Sequence, residues 1–146
     1  MIMSAILTVI QDVAFLALVL WREARGEPSE GKTAVAFSIM NRVRRPSWWG
    51  DTVLAVLFKK WQYSSVTDPK DSQLTKWPSD RDLQWQECLE IAHDVYMNMV
   101  ANPAPGADSY YADSIPPPKW ADPKKFVVKI GHHSFYDINS DHERAT

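Results

Sequence analysis

From Ala5 to Leu20 the chain is almost continuously apolar, interrupted at Gln11 and Asp12. A run of that length with so few polar positions predicts a helix that is hydrophobic nearly all round and therefore buried. Its expected span is Ser4 to Ala24, closed by Gly26 and Pro28, which favour a left-handed cap and a stop. Ser29 is expected to cap a second helix that carries Val35, Ile39 and Val43 four apart on one face and stops before Pro46. Asp51 should cap a short third helix, Thr52 to Phe58. Lys59 to Pro78 shows no sustained period and reads as a long ordered loop, a kind of segment that is more often functional than idle. Ser79 with Asp82 resembles a capping box for a fourth helix, whose stripe is Cys88, Ile91, Ala92, Val95 and Met99 and whose end lies near Asn102-Pro103. The pattern then changes to short β-prone runs, Ser109 to Tyr111, Phe126 to Ile130 and His133 to Tyr136, separated by the turn-rich Ile115 to Pro118. The expected fold class is α+β, mainly helical, with a small β-lobe in the C-terminal third and a single domain over residues 1–146.

Composition narrows the function classes. With 45% hydrophobic residues and seven Trp in 146 residues, the chain is globular, and a domain of this size buries roughly 70% of its unfolded surface. A net charge of -2, with 16 basic residues scattered among 18 acidic ones, lacks the dense basic face that nucleic acid requires. Arg42, Arg44 and Arg45 form the one basic cluster and read as cations complementing a helix C-terminus. Cys88 is alone, so no intramolecular disulfide exists; it reads as a core residue, which fits synthesis in a reducing cytosol. The N-terminal apolar run lacks a basic leader and is broken before the ~20 residues of a membrane span. It is expected to be a central buried helix rather than a stable membrane anchor, with a weak signal-anchor as the alternative.

Chemistry concentrates at the end of the first helix. Glu23 would project from a last turn anchored in the core, and partial burial there lifts a carboxyl from about 4.3 towards roughly 6, the range of a general acid at neutral pH. The plain alternative is a charged helix terminus in which Glu23 and Glu27 alternate with Arg22 and Arg25. No metal or cofactor is expected. Asp137, Asn139 and Asp141 copy the opening spacing of a calcium loop, but the sixth position is not Gly and no acidic twelfth remains. His132, His133 and His142 lack the His-Glu-x-x-His spacing of a zinc protease.

Four ordered segments carry a resemblance. They are Glu23-Ala24-Arg25-Gly26-Glu27-Pro28 with Glu30-Gly31, Ala34-Val35-Ala36 and Asn41-Arg42-Val43; Gln62-Tyr63-Ser64 with Val66-Thr67-Asp68; Tyr110-Tyr111 with Lys119-Trp120; and Lys129 to Phe135. Together they resemble the SleB/CwlJ family of cell-wall hydrolases over about residues 12 to 136. The resemblance implies a lysozyme-like or lytic-transglycosylase-like helical body and cleavage of peptidoglycan glycan strands between MurNAc and GlcNAc. It places the catalytic glutamate at Glu23, with Glu27 as the rival. It implies substrate contacts from Gln62, Tyr63, Ser64, Tyr110, Tyr111 and His133, although Tyr110 and Tyr111 alternate on a strand and only one can face the groove. His133 on its own is more often a hydrogen-bonded structural histidine than a substrate contact, and His132 matches no fixed family position and reads as surface.

Asp113 stands where the family commonly has Asn and is a possible second carboxylate, which would make the enzyme a muramidase rather than a lytic transglycosylase with a 1,6-anhydro product. Tyr136 replaces a family Cys as a packing change. A free-standing catalytic domain without a wall-binding module implies an endolysin-like layout: a monomer made in a host cytoplasm and released to the wall through a holin. A second class of function is a non-catalytic glycan-binding module; against it, Trp21, Trp85 and Trp120 sit in apolar contexts and read as core. An amidase or peptidase would need a metal or a Cys-His pair that the sequence does not offer.

Overall fold

The computed structural model of the chain describes residues 2–139. Helix α1, Ile2–Ala24, packs against α2 (Ser29–Arg44), α3 (Val53–Leu57), α4 (Ser64–Thr67) and α5 (Leu83–Tyr96). Only its second half is the expected buried rod, with Leu16 to Arg22 and Ala24 buried. Ile2, Met3, Ile6, Leu7 and Ile10 are exposed. The reason is length: at 1.5 Å per residue α1 runs about 34 Å, against about 24 Å for α2 and about 21 Å for α5, so its first turns overhang. By length and composition α1 is the one helix among the described residues apolar enough to cross a membrane, with 28% of that window buried.

Helix starts fall one or more residues from the expected caps. Pro28 is the N-cap of α2, and Ser29 already lies inside the helix, its hydroxyl donating to Glu87 Oε1 at 2.7 Å. Thr52, not Asp51, caps α3 by accepting from the Ala55 amide. Asp82 alone caps α5: Oδ1 accepts the Gln84 and Trp85 amides while Oδ2 accepts the Trp21 indole at 2.9 Å, so one carboxylate starts a helix and ties it to the end of α1. Helix α5 stops well short of Asn102. Asn98 takes φ 57, its N–H reaches Val95 O, and the Met99 N–H reaches back to Asp94 O at 2.8 Å, a Schellman closure that leaves Met99 exposed. The loop from Lys59 to Pro78 contains the one-turn α4.

Strands β1 (Ser109–Ala112), β2 (Phe126–Ile130) and β3 (His133–Tyr136) form an antiparallel sheet in the order β1-β3-β2. The class is the expected one, a helical body with a small C-terminal sheet. The β2–β3 turn is Gly131-His132 with positive φ only at Gly131, the two-residue geometry that keeps a twisted hairpin paired.

Candidate active site

The end of α1 is clamped before Glu23 is reached. Trp21 is buried and bonded to Asp82, and the buried Arg22 donates to Ser65 O at 3.0 Å and Lys76 O at 3.1 Å while lying over the Trp77 ring. The next side chain therefore points where α4 meets β1. There Ser65 Oγ donates to Glu23 Oε2 at 2.8 Å and Tyr110 Oη donates to Glu23 Oε1 at 2.9 Å. Burial raises the Glu23 carboxyl to about 7, opposed by those two hydrogen bonds and reinforced by the negative charge of Asp71.

Glu23 lines a cleft of about 390 Å³ together with Arg42, Trp48, Trp61, Gln62, Tyr63, Ser109, Tyr110, Trp120 and Ile138. Arg42 is the wall's central brace. From the last turn of α2 its Nε donates to Asp108 O at 2.7 Å, Nη1 to Gln62 Oε1 at 3.0 Å and Nη2 to Ser109 Oγ at 3.3 Å, with the guanidinium over Trp49 and Tyr63. The three clustered arginines do stand at the C-terminal end of α2, as expected, and each is also a separate tether, since Arg44 donates to Val95 O and Arg45 to Gly106 O. Burial pushes the Tyr63 phenol to about 12, against the pull of Arg42, so it remains neutral.

The structure brings Glu23, Gln62, Tyr63 and Tyr110 to one cleft and sends the other expected residues elsewhere. Ser64 turns away, donating to Asp71 Oδ2 at 2.6 Å and lining an adjoining hollow; its neighbour Ser65 meets Glu23 instead, because the one-turn α4 rotates successive side chains apart. Tyr111 lies on the opposite face of β1, stacked on Tyr136 and edge-on to Trp120. Trp120, expected in the core, is 38% exposed and lines the cleft, supported from behind by Tyr111 and Tyr136. His133 is buried edge-on against the Tyr110 ring at 5.1 Å, behind the cleft rather than in it. Asp113 follows β1, is exposed and pairs with Lys129 at 3.3 Å; it does not line the cleft.

Glu27 occupies a different setting. Lying in the turn between α1 and α2, it accepts the His132 N–H at 2.8 Å, meets His132 Nδ1 at 2.9 Å and lies 3.2 Å from His133 Nδ1. Burial would raise its carboxyl, but the His132 hydrogen bonds and the nearby imidazoles outweigh that and hold it below the ordinary range. The same pairing raises His132, which is a surface residue by exposure, while burial lowers His133. Gly131 is needed here: a Cβ on it would stand 3.0 Å from both Glu27 Oε1 and Pro28 Cδ.

Sequence reasoning missed Ser65, Arg42, Ser109, Trp48 and Trp61. The Ser64-Ser65 pair offered a choice that only the helical phase of α4 resolves, and the cluster at Arg42 looked like an ordinary helix end. Cys88 is buried, and burial pushes its thiol to about 11, which suits a core residue and not a nucleophile. Among the described residues no group of three or more His, Cys, Asp or Glu could hold a metal ion. Residues 140–142, with the rest of the calcium-like spacing and His142, lie outside the described residues.

Comparison with known proteins gives the family and the fold. Residues 26–136 match the Cell Wall Hydrolase family, a match that begins three residues after Glu23. The chain is 28% identical over 127 residues to the spore cortex-lytic enzyme of Bacillus subtilis, covering 85% of this chain and 37% of that protein. It is 28% identical over 126 residues to that of Halalkalibacterium halodurans, covering 34% of the relative. The chain thus spans little more than a third of the length of these curated relatives. Its fold is similar to the catalytic domain of the germination-specific lytic transglycosylase SleB from Bacillus anthracis, with TM-score 0.67, 27% identity and coverage of 86% of this chain and 93% of that one. The catalytic domain of the Bacillus cereus SleB protein superposes equally, at TM-score 0.67 and 28% identity, covering 86% of this chain and 88% of that one. The chain belongs to the Cell Wall Hydrolase family.

Proposed function

We propose that this chain cleaves the glycan strands of peptidoglycan between MurNAc and GlcNAc, with Glu23 as a single general acid and base. The observation that carries the reading is that Glu23 is, among the described residues, the only carboxylate lining the cleft and has its carboxyl raised to about 7. At neutral pH such a group holds a proton it can deliver to the bridging glycosidic oxygen. As the bond breaks, positive charge develops at the sugar's anomeric carbon and Glu23 becomes a carboxylate, a form that the Ser65 and Tyr110 hydroxyls favour by donating to it. With no second carboxylate lining the cleft among the described residues, Glu23 then removes the proton of the sugar's own 6-hydroxyl as that oxygen attacks, which closes a 1,6-anhydro ring. The fold shared with a SleB catalytic domain, whose name states a lytic transglycosylase, supports this outcome over a muramidase.

Mass spectrometry of digested peptidoglycan tests the product: anhydro-MurNAc ends are expected, and reducing MurNAc ends would transfer the second role to a water and a carboxylate such as Asp113. Glu23→Gln should lower wall clearing by roughly 10²–10⁴-fold while leaving the fold intact. A folded Glu23→Gln chain that clears walls normally would refute the assignment. A second reading, a glycan-binding module without catalysis, draws on Trp48, Trp61 and Trp120, three partly exposed indoles lining one cleft. A turbidity assay separates the two, since a binder sediments with the wall without clearing it.

A further inference from the structure

Trp61 combines three properties that packing does not explain. It occupies the third position of a turn closed by the Gln62 N–H on Lys59 O, with φ 71, a conformation that such turns reserve for Gly or Asn and that is disfavoured for a bulky side chain. Its side chain is 79% exposed, so burial does not offset the strain. It also lines two pockets at once, the Glu23 cleft and a neighbouring hollow of about 360 Å³. Strain kept at an exposed aromatic residue on a shared rim is a mark of function more than of folding.

We propose that Trp61 is a stacking platform shared by two saccharide-binding pockets, so that the Glu23 cleft continues across the indole into the hollow lined by Lys60, Ser64, Thr67, Asp68 and Pro69. The occupant is the next sugar of the same glycan strand. Both hollows fall within the range of about 300–1,000 Å³ typical of ligand sites, and the second offers hydroxyls, a carboxylate and an ammonium beside an aromatic face. That mixture suits a ring bearing hydroxyl and acetamido groups on one edge and C–H bonds on its face. Internal bonds hold the polar groups in place: Ser64 donates to Asp71, Thr67 donates to Tyr63 O, and the Lys60 ammonium lies 4.9 Å from the Trp61 ring centre. Their hydroxyl oxygens keep lone pairs for a ligand. This inference rests on the glycan-cleaving reading of the Glu23 cleft.

The test uses the full chain carrying Glu23→Gln, titrated with β-1,4-linked N-acetylglucosamine oligomers of increasing length. Longer oligomers should shift the amide resonances of Lys60, Thr67 and Asp68 as well as Tyr110. Adding Trp61→Gly should weaken binding of the longest oligomers by about tenfold, an effect that grows with oligomer length, while Trp61→Phe restores much of the affinity. Thermal stability should be unchanged or raised, because Gly relieves the left-handed strain, which a merely structural Trp61 would not allow. The platform is overturned if Trp61→Gly binds long oligomers as tightly as its parent, if Tyr110 responds without Lys60 and Thr67, or if no oligomer binds. Normal wall lysis by Glu23→Gln would instead sink the catalytic reading, and the binding measurements would still decide the platform.

Discussion

Glu23 and Glu27 stand four residues apart around the end of α1, carry the same functional group, and are pushed in opposite directions by the fold. Glu23 meets two neutral hydroxyls at the base of a cleft; burial prevails and its carboxyl rises to about 7. Glu27 meets a backbone N–H and two imidazoles; these prevail over burial and keep it ionised. Burial alone does not make an acid. What matters is whether the donors supplied by the rest of the chain stabilise the negative charge enough to offset the lost water. One glutamate is thereby suited to give up a proton to a ligand, and the other to pin the β2–β3 turn against the start of α2. Through His133, packed on Tyr110, the second also supports the phenol that bonds the first.

Replacing each glutamate by glutamine separates these roles most sharply. At position 23 the expected result is loss of lysis with the fold intact. At position 27 the expected result is a loss of stability of about 1–3 kcal/mol, because the His132 N–H and imidazole lose a charged acceptor, with lysis falling only as far as the sheet loosens. Chemical denaturation and turbidity on the same samples measure both; a Glu27→Gln chain that is fully stable yet inactive would invert the comparison.

The pH dependence of stability should also differ in sign. Between about 4.5 and about 7 the folded chain keeps a proton on Glu23 that the unfolded chain has released, so this group's stabilisation is complete below that window and is lost as pH rises through it. The span corresponds to about 3 kcal/mol at most, and Glu23→Gln should abolish it. Glu27, held below its ordinary value, contributes stability above about 4.5 that is lost as the medium is acidified. Unfolding free energies of the parent and both variants across pH 3–9 (a range of about six pH units) distinguish the two slopes.

The smallest expected effects lie in the hydrogen bonds. Tyr110→Phe and Ser65→Ala each remove a donor that favours the ionised form, so the alkaline limb of the pH–rate profile should move to higher pH. Ser64→Ala removes only a bond to Asp71 and should leave that limb in place. If Ser64→Ala shifts it and Ser65→Ala does not, the one-turn α4 has the wrong phase.

Periodicity sufficed for much of the helical body because burying an apolar face leaves few choices: the buried second half of α1, Val35 and Ile39 of α2, Cys88, Ala92 and Val95 of α5, and the alternation of Tyr110 and Tyr111 follow from residue spacing, whereas Met99, expected on the α5 stripe, lies exposed past the helix end. The motif at the end of α1 likewise singles out Glu23 from local sequence alone. Several features depended on contacts between segments far apart in sequence. Ser65 rather than Ser64 touches Glu23, Arg42 braces Gln62 and Asp108, and Trp120 leaves the core for the cleft. The overhang of α1 likewise appears only when the lengths of its partners are set beside it. The position of the proposed acid was thus written in the local sequence, whereas its proton affinity was decided by tertiary structure, because a carboxyl's proton affinity reflects the water removed and the donors brought in by distant parts of the chain.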